Sequence, residues 1–325
     1  MLGQDLPNMR PVLPYLGYAL IVVAAYIFLA AGKPTLVSGL FVVSGLAVGS
    51  LYALGGIGLV VLYRATGVLN LASGAVGAFG VMLAWELQQR GWPQAISWVA
   101  ALATAIALSL LYGRLIAPGL AWRDPIVKAV ATLGFALIIL GVTTFLWRTD
   151  VVRKFTLPTD NQAMMLLGLR VTLTRFIVVF ATVSIVAGIW FYLARTRTGL
   201  QMRSLANDRD LSALIGVRIL RVESIAWAIA GAIAGFTGLM FGDLLRLEPF
   251  VITFMVIPCV AAAICGRLEN LGLVLVGGLT MGVVESLLTF SPTLKNIRPI
   301  APFFIAAAVL IVMQRGHQLV FARDE

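Results

Sequence analysis

Long unbroken runs of apolar residues, parted by short polar stretches, organise this chain. The pattern predicts ten apolar segments, at roughly 12–32, 37–62, 67–87, 94–118, 127–147, 172–194, 222–242, 250–266, 270–290 and 299–314. A helix needs about 20 residues to cross a bilayer, and most of these segments have them. Barrel strands alternate apolar and polar positions, whereas these runs are continuous. The expected fold is therefore all-α, a polytopic membrane protein with a single transmembrane domain over 1–325. The eighth and tenth segments are short, and Pro258 interrupts the eighth. Such a segment marks a broken or re-entrant helix near a transport path. Ten segments divide five and five, and an odd number per half inverts one half against the other. Gly-rich stretches, Gly45–Gly49 and Gly277–Gly282, occur in both halves. Small residues at helix contacts explain them without any repeat.

Composition sharpens this. Of 325 residues, 60% are hydrophobic and 12% charged, against about 45–50% and about 25% in soluble domains. The mean hydropathy is +0.99. A soluble enzyme and a disordered or fibrous chain are excluded. Cys259, Cys265 and His317 are too few to suggest a disulfide framework or a metal site. The cysteines read as small packing residues. Only Arg10 precedes the first apolar run, and no cleavage site leads into a soluble domain, so the run reads as a span.

The net charge of +10 lies between the apolar runs, where its usual role is orientation. The loop 195–221 carries Arg195, Arg197, Arg203, Arg209, Arg218 and Arg221, which places it in the cytoplasm. Counting outwards puts both termini there, with a modest majority of the 24 Lys and Arg. The loop 148–171 is then extracytoplasmic, although Arg148, Arg153, Lys154 and Arg170 make it basic too.

Three stretches carry candidate chemistry. In 45–87, the cluster Gly55-Gly56-Ile57-Gly58 is placed to loosen its helix, and Leu62–Gly67 reads as a short turn. Asn70 and Ser73 then fall on one face of the next helix. They either bond a neighbouring helix or line a polar path. In 195–221, a short helix is expected over 199–206, with Asn207 and Asp208 as N-cap types for a second. Leu211, Leu214 and Ile215 give the second helix an apolar face, and Gly216 stops it. The pair either lies at the lipid interface or docks a soluble partner. In 270–290, Glu285 is an ionisable residue within a span. It is either functional or paired with Lys295 or Arg298. Glu86 has Arg90 four residues on, the spacing of a local ion pair.

With these residues in view, the chain resembles the permease subunits of branched-chain amino-acid type ABC importers, a family that includes urea and short-amide importers. Gly49–Ala75 is similar to the family's Gly-rich helix, Tyr-containing turn and Asn-containing helix. Gly199–Val217 is similar to its cytoplasmic coupling segment, and Gly266–Asn270 to Glu285 looks like its C-terminal Gly-rich helix. The usual Phe-Ala-His-Gly-Glu after the Asn is here Leu71–Ala75, without either ionisable residue.

The resemblance implies a transport subunit, not an enzyme, in a bacterial inner membrane. It implies a second permease chain, two ATPase subunits and an extracytoplasmic solute-binding protein as partners. The sequence has no G-x-x-x-x-G-K-[ST] loop, so no cofactor is expected on this chain, with ATP and Mg on the ATPases. On this reading Arg203, Asn207, Asp208, Arg209, Leu211 and Leu214 contact the ATPase. Asn70, Ser73, Thr132, Thr237 and Glu285 are the candidate path residues. The solute is left open among a branched-chain or other amino acid, urea, an amide and a small organic acid. An ATP-independent secondary transporter or facilitator is the alternative. It would be expected to carry intramembrane charges that hold a driving ion.

Overall fold

The computed structural model describes residues 13–30, 35–148, 153–166, 169–245, 247–291, 294 and 300–314. His317, Lys295, Arg298 and Arg10 lie outside them. The chain is helical almost throughout. Helices α1 (Leu13–Ala30), α2 (Thr35–Thr66), α3 (Ser73–Gln89), α4 (Gln94–Leu111) and α5 (Pro125–Leu146) make up the N-terminal half. Strands β1 (Ala163–Leu166) and β2 (Leu169–Thr172) pair as a small antiparallel hairpin, which the apolar pattern did not predict. Helices α6 (Leu173–Arg195), α7 (Arg197–Asn207), α8 (Arg209–Leu214), α9 (Ile219–Leu244), α10 (Pro249–Phe254), α11 (Val256–Cys265), α12 (Leu271–Leu287) and α13 (Ala301–Gln314) follow.

Among the described residues, six helices are long and apolar enough to cross a membrane: α2, α4, α5, α6, α9 and α12. Helix α1 and the pair α10–α11 are shorter apolar helices. The long helices form a centre and a shell. In the most apolar window, α2 is 83% buried and α9 72%, but α5 28% and α6 22%. The exposed faces of α5 and α6 carry Ile126, Val130, Leu137, Phe145, Phe180 and Trp190. An apolar belt of this extent suits hydrocarbon or a partner chain, not water.

Glycine sets the central packing. The two Gly-rich stretches of the sequence meet each other. Gly45 abuts Gly282 and Gly49 abuts Gly278, so α2 and α12 run antiparallel with backbones in contact. Lipid offers no hydrophobic drive for helix association, so this close approach, with its dispersion contacts, holds the seam. Helix α4 packs antiparallel on α9, where Gly231 and Gly235 face Ala105. Helix α3 runs parallel to α9 through Gly77 and Gly238, α11 packs on α2, α3 packs on α5, and α11 packs on α13. The Gly55–Gly58 cluster does not loosen α2, which stays helical to Thr66. These glycines instead receive Cys259 and Ile233.

The predicted third segment is corrected at its start. The turn begins at Gly67, whose φ of +66° suits glycine, and not at Leu62. Residues 67–72 are not helical, and α3 starts only at Ser73. Asn70 therefore sits in the turn, not on the helix face with Ser73. The broken eighth segment is present as α10 and α11, parted at Met255. The cause is Pro258, which has no N–H for the carbonyl of Phe254 four residues back.

Candidate functional site

The α7–α8 segment, with the loops beside it, forms a basic end of the molecule. Thr196 caps α7 by accepting the N–H of Gly199 at 3.0 Å, and Asp208 caps α8 by accepting that of Leu211 at 2.9 Å. Gly216, at φ +86°, follows the end of α8. The hydroxyls of Ser204 and Ser212 lie 2.8 Å apart and join the two helices. Arg203, Asn207 and Asp208 are exposed. Leu211, Leu214 and Ile215 are exposed too, at 57%, 84% and 68%. Arg209 is used differently. Its guanidinium lies 2.6 Å from the buried carboxylate of Glu223, tying α8 to α9. Nothing in the apolar pattern singled out Glu223. Its signal was an acid in the first turns of an apolar helix opposite a basic loop.

Beside this pair lies a polar cleft of about 670 Å³, lined by Arg64, Lys128, Arg209, Arg267 and Glu269 among others. Arg64 donates to the Glu269 carbonyl at 3.4 Å. Arg267 and Leu268 both adopt left-handed backbone, at φ 54° and 57°. Two such non-glycine residues in succession are unfavourable and persist only where the surroundings hold them. Asn270 then caps α12, accepting from Gly272 and Leu273.

Further along the axis, α2, α3, α9, α10 and α11 enclose a narrow cavity of about 20 Å³. A water needs roughly 10–15 Å³, so a water fits and an amino acid does not. Asn70, Ser73 and Thr237 line it. Two of the five candidate path residues lie elsewhere. Thr132 is fully buried and supports the turn: its Oγ1 accepts the Leu71 N–H at 3.0 Å and lies 3.0 Å from the Leu69 carbonyl. Glu285 faces α2, where its Oε2 accepts the hydroxyl of Tyr52 at 2.8 Å. Its wall is the α2–α12 seam, and it does not line the cavity. The Thr237 hydroxyl bonds back to the Ile233 and Ala234 carbonyls. Ile252, Met255, Val256 and Cys259 form a wall from the broken eighth segment, in which the sequence reading named only Pro258 and, as packing residues, the cysteines.

The opposite end is knit by side chains. The Leu157 N–H is shared by Asp160, at 3.0 Å, and Asp243, at 3.1 Å. Thr174 donates to Asp160, and Arg175 donates to Ser44 at 2.6 Å. Glu86 pairs with Arg90 at 2.8 Å, the expected local ion pair, and accepts from Trp147. Among the described residues no cluster of His, Cys, Asp and Glu is suited to a metal ion.

A helical bundle around a glycine-packed centre, with a capped basic helix pair at one end, agrees with the family comparison. Residues 41–313 match the permease component of the branched-chain amino acid transport system. The chain belongs to this permease family.

Its relatives cover most of the fold. A probable branched-chain amino acid transport permease, LivH, of Methanocaldococcus jannaschii is 26% identical over 268 residues, 80% of this chain and 82% of the relative. The high-affinity branched-chain amino acid permease LivH of Escherichia coli is 23% identical over 290 residues, 84% of this chain and 92% of the relative. BraD of Pseudomonas aeruginosa is 23% identical, covering 75% of this chain and 84% of the relative. Among solved structures, PsaBC from Streptococcus pneumoniae in complex with Fab aligns at a TM-score of 0.47 and 14% identity, over 90% of this chain and 95% of that one. The permease family places the chain as a membrane-spanning subunit of an ABC importer, a transport subunit rather than an enzyme.

Proposed function

We propose that this permease chain moves a small amino acid, of the branched-chain type carried by its named relatives, across a bacterial inner membrane by alternating access. ATP and Mg bind on two separate ATPase subunits. A second permease chain completes the channel, and an extracytoplasmic binding protein delivers the solute. The α7–α8 end faces the cytoplasm and the β-hairpin faces outwards. The ten segments cross in alternation, with α10–α11 as a single broken crossing. Paired packing supports inverted halves: α2 lies on α12 as α9 lies on α4, and α3 lies on α9 as α11 lies on α2.

The observation that carries the coupling is the exposure of Leu211, Leu214 and Ile215 on helices otherwise fixed by caps and the Arg209–Glu223 pair. Apolar side chains in water at a rigid, basic-rimmed end suit a groove on a soluble partner. The motion has a route inward. Arg209 shares the cleft with Lys128, which lies one turn before Thr132 on α5. Thr132 holds the turn that carries Asn70 into the cavity. A push on α8 is thus transmitted through α5 to the turn. The cavity as it stands represents a closed path.

The test is uptake of L-leucine into proteoliposomes holding the full complex. ATP-dependent uptake that needs the binding protein is expected. Uptake driven by a proton or sodium gradient without ATPase would overturn the proposal in favour of a secondary transporter.

A further inference from the structure

The narrow cavity is built to meet a negative charge. Helix α3 begins at its wall, and its N-cap residue, Ala72, has no side chain to satisfy the first turn. The first N–H groups of a helix lack intrahelical partners and carry the positive end of its dipole. Such an end favours an anion, but it does not make a site without a second feature.

That feature is Asn70, which is 3% exposed and lines the cavity. Its Oδ1 accepts the Ala72 N–H at 3.0 Å. This bond fixes which end of the amide is oxygen and turns the NH₂ away from the backbone. Among the described residues Nδ2 has no hydrogen-bond partner. The NH₂ of this cavity-lining side chain is thus left to donate to an acceptor that enters. The backbone carbonyl of Thr253 abuts Gly74 in the first turn of α3, and its buried Oγ1, behind the cavity wall, has no partner among the described residues. None of the described lining residues is acidic, and Ile233, Phe241, Ile252 and Val256 form an apolar remainder.

We infer that the α3 N-terminus and the Asn70 amide receive the carboxylate of the solute as the cavity widens, with its apolar side chain towards α9 and α10–α11. This rests on the importer reading and adds a charge requirement to it. The permease then selects for a carboxylate itself, independently of the binding protein.

Asn70→Asp tests it cleanly. An aspartate keeps an oxygen for the Ala72 N–H and replaces only the NH₂ with a negative oxygen. The full complex in proteoliposomes is given L-leucine or acetamide, a neutral amide without a carboxylate. The same binding protein serves every form, so variant-to-wild-type ratios report on the permease. Asn70→Asp is expected to cut leucine uptake at least tenfold while the complex elutes intact with its ATPase. Asn70→Ser, which keeps an oxygen and a donor, should retain at least a third. Leucine uptake by Asn70→Asp at the wild-type rate, or an equal loss in both variants, would overturn the inference. ATP-driven uptake of acetamide but not leucine by the wild type would also overturn it while leaving the importer reading intact. Failure of the wild-type chain to bind any ATPase would remove both.

Discussion

The hydroxyl of Thr132 accepts the backbone N–H of Leu71 at 3.0 Å. Contacts from one residue of a helix with an exposed apolar face thus help to hold the unwound turn beside the cavity. Thr132→Val keeps the shape and removes the hydroxyl. The part-buried Leu71 N–H then keeps only the Leu69 carbonyl, at 3.1 Å, and the lost bond costs about 1 kcal/mol. The thermal midpoint of the purified chain should fall. Leucine uptake per ATP hydrolysed should fall as well, because the turn no longer follows α5. Unchanged coupling would detach Thr132 from the route.

Arg209 and Glu223 provide a second check. Arg209→Ala leaves a buried carboxylate without its cation. Because Arg209 is partly exposed, the loss is expected between that of exposed and of buried pairs, about 2 kcal/mol. The double variant Arg209→Ala with Glu223→Ala should recover part of it. Thermal unfolding of the four forms gives the coupling. Additive losses would show that the pair does not hold α8 to α9.

Glycine contacts predict a sharp contrast. Gly282 meets the backbone of Gly45 and Gly49, whereas Gly134 faces open space. Gly282→Leu should abolish recovery of monodisperse protein from detergent, since backbone cannot give way as a side chain can. Gly134→Leu should be recovered at close to the wild-type yield.

Glu285 separates a structural carboxylate from a transporting one. Glu285→Gln keeps an oxygen for the Tyr52 hydroxyl, so uptake should stay within about threefold of the wild type, since a neutral acceptor loses only part of a charge-assisted bond. A loss beyond tenfold would put the charge on the path.

Much of this was legible in the residues. Helix class, the break at Pro258, the Asp208 cap and the stop at Gly216 follow from local rules that bulk packing does not override. The position of Asn70 did not. Apolar residues continue through 67–72, so hydrophobicity alone carries the helix across a turn held by Thr132, distant in sequence. The contact of Glu285 with Tyr52 was hidden for a similar reason. Its partner Tyr52 lies in another helix, and only the α2–α12 glycine seam brings the two together. The count of crossings was blurred because α1, α3, α10–α11 and α13 are shorter than a full span.

The central claim is that the exposed face of α7–α8 couples the permease to an ATPase. Leu211 and Leu214 test it better than Asp208, whose side chain is needed to cap α8. The measurement is co-purification of the chain with its ATPase from gently solubilised membranes, for the wild type and for Leu211→Glu with Leu214→Glu. The account predicts a stable wild-type complex that hydrolyses ATP, and a double variant that folds but loses at least nine-tenths of the bound ATPase. Full ATPase retention by the folded double variant would contradict it.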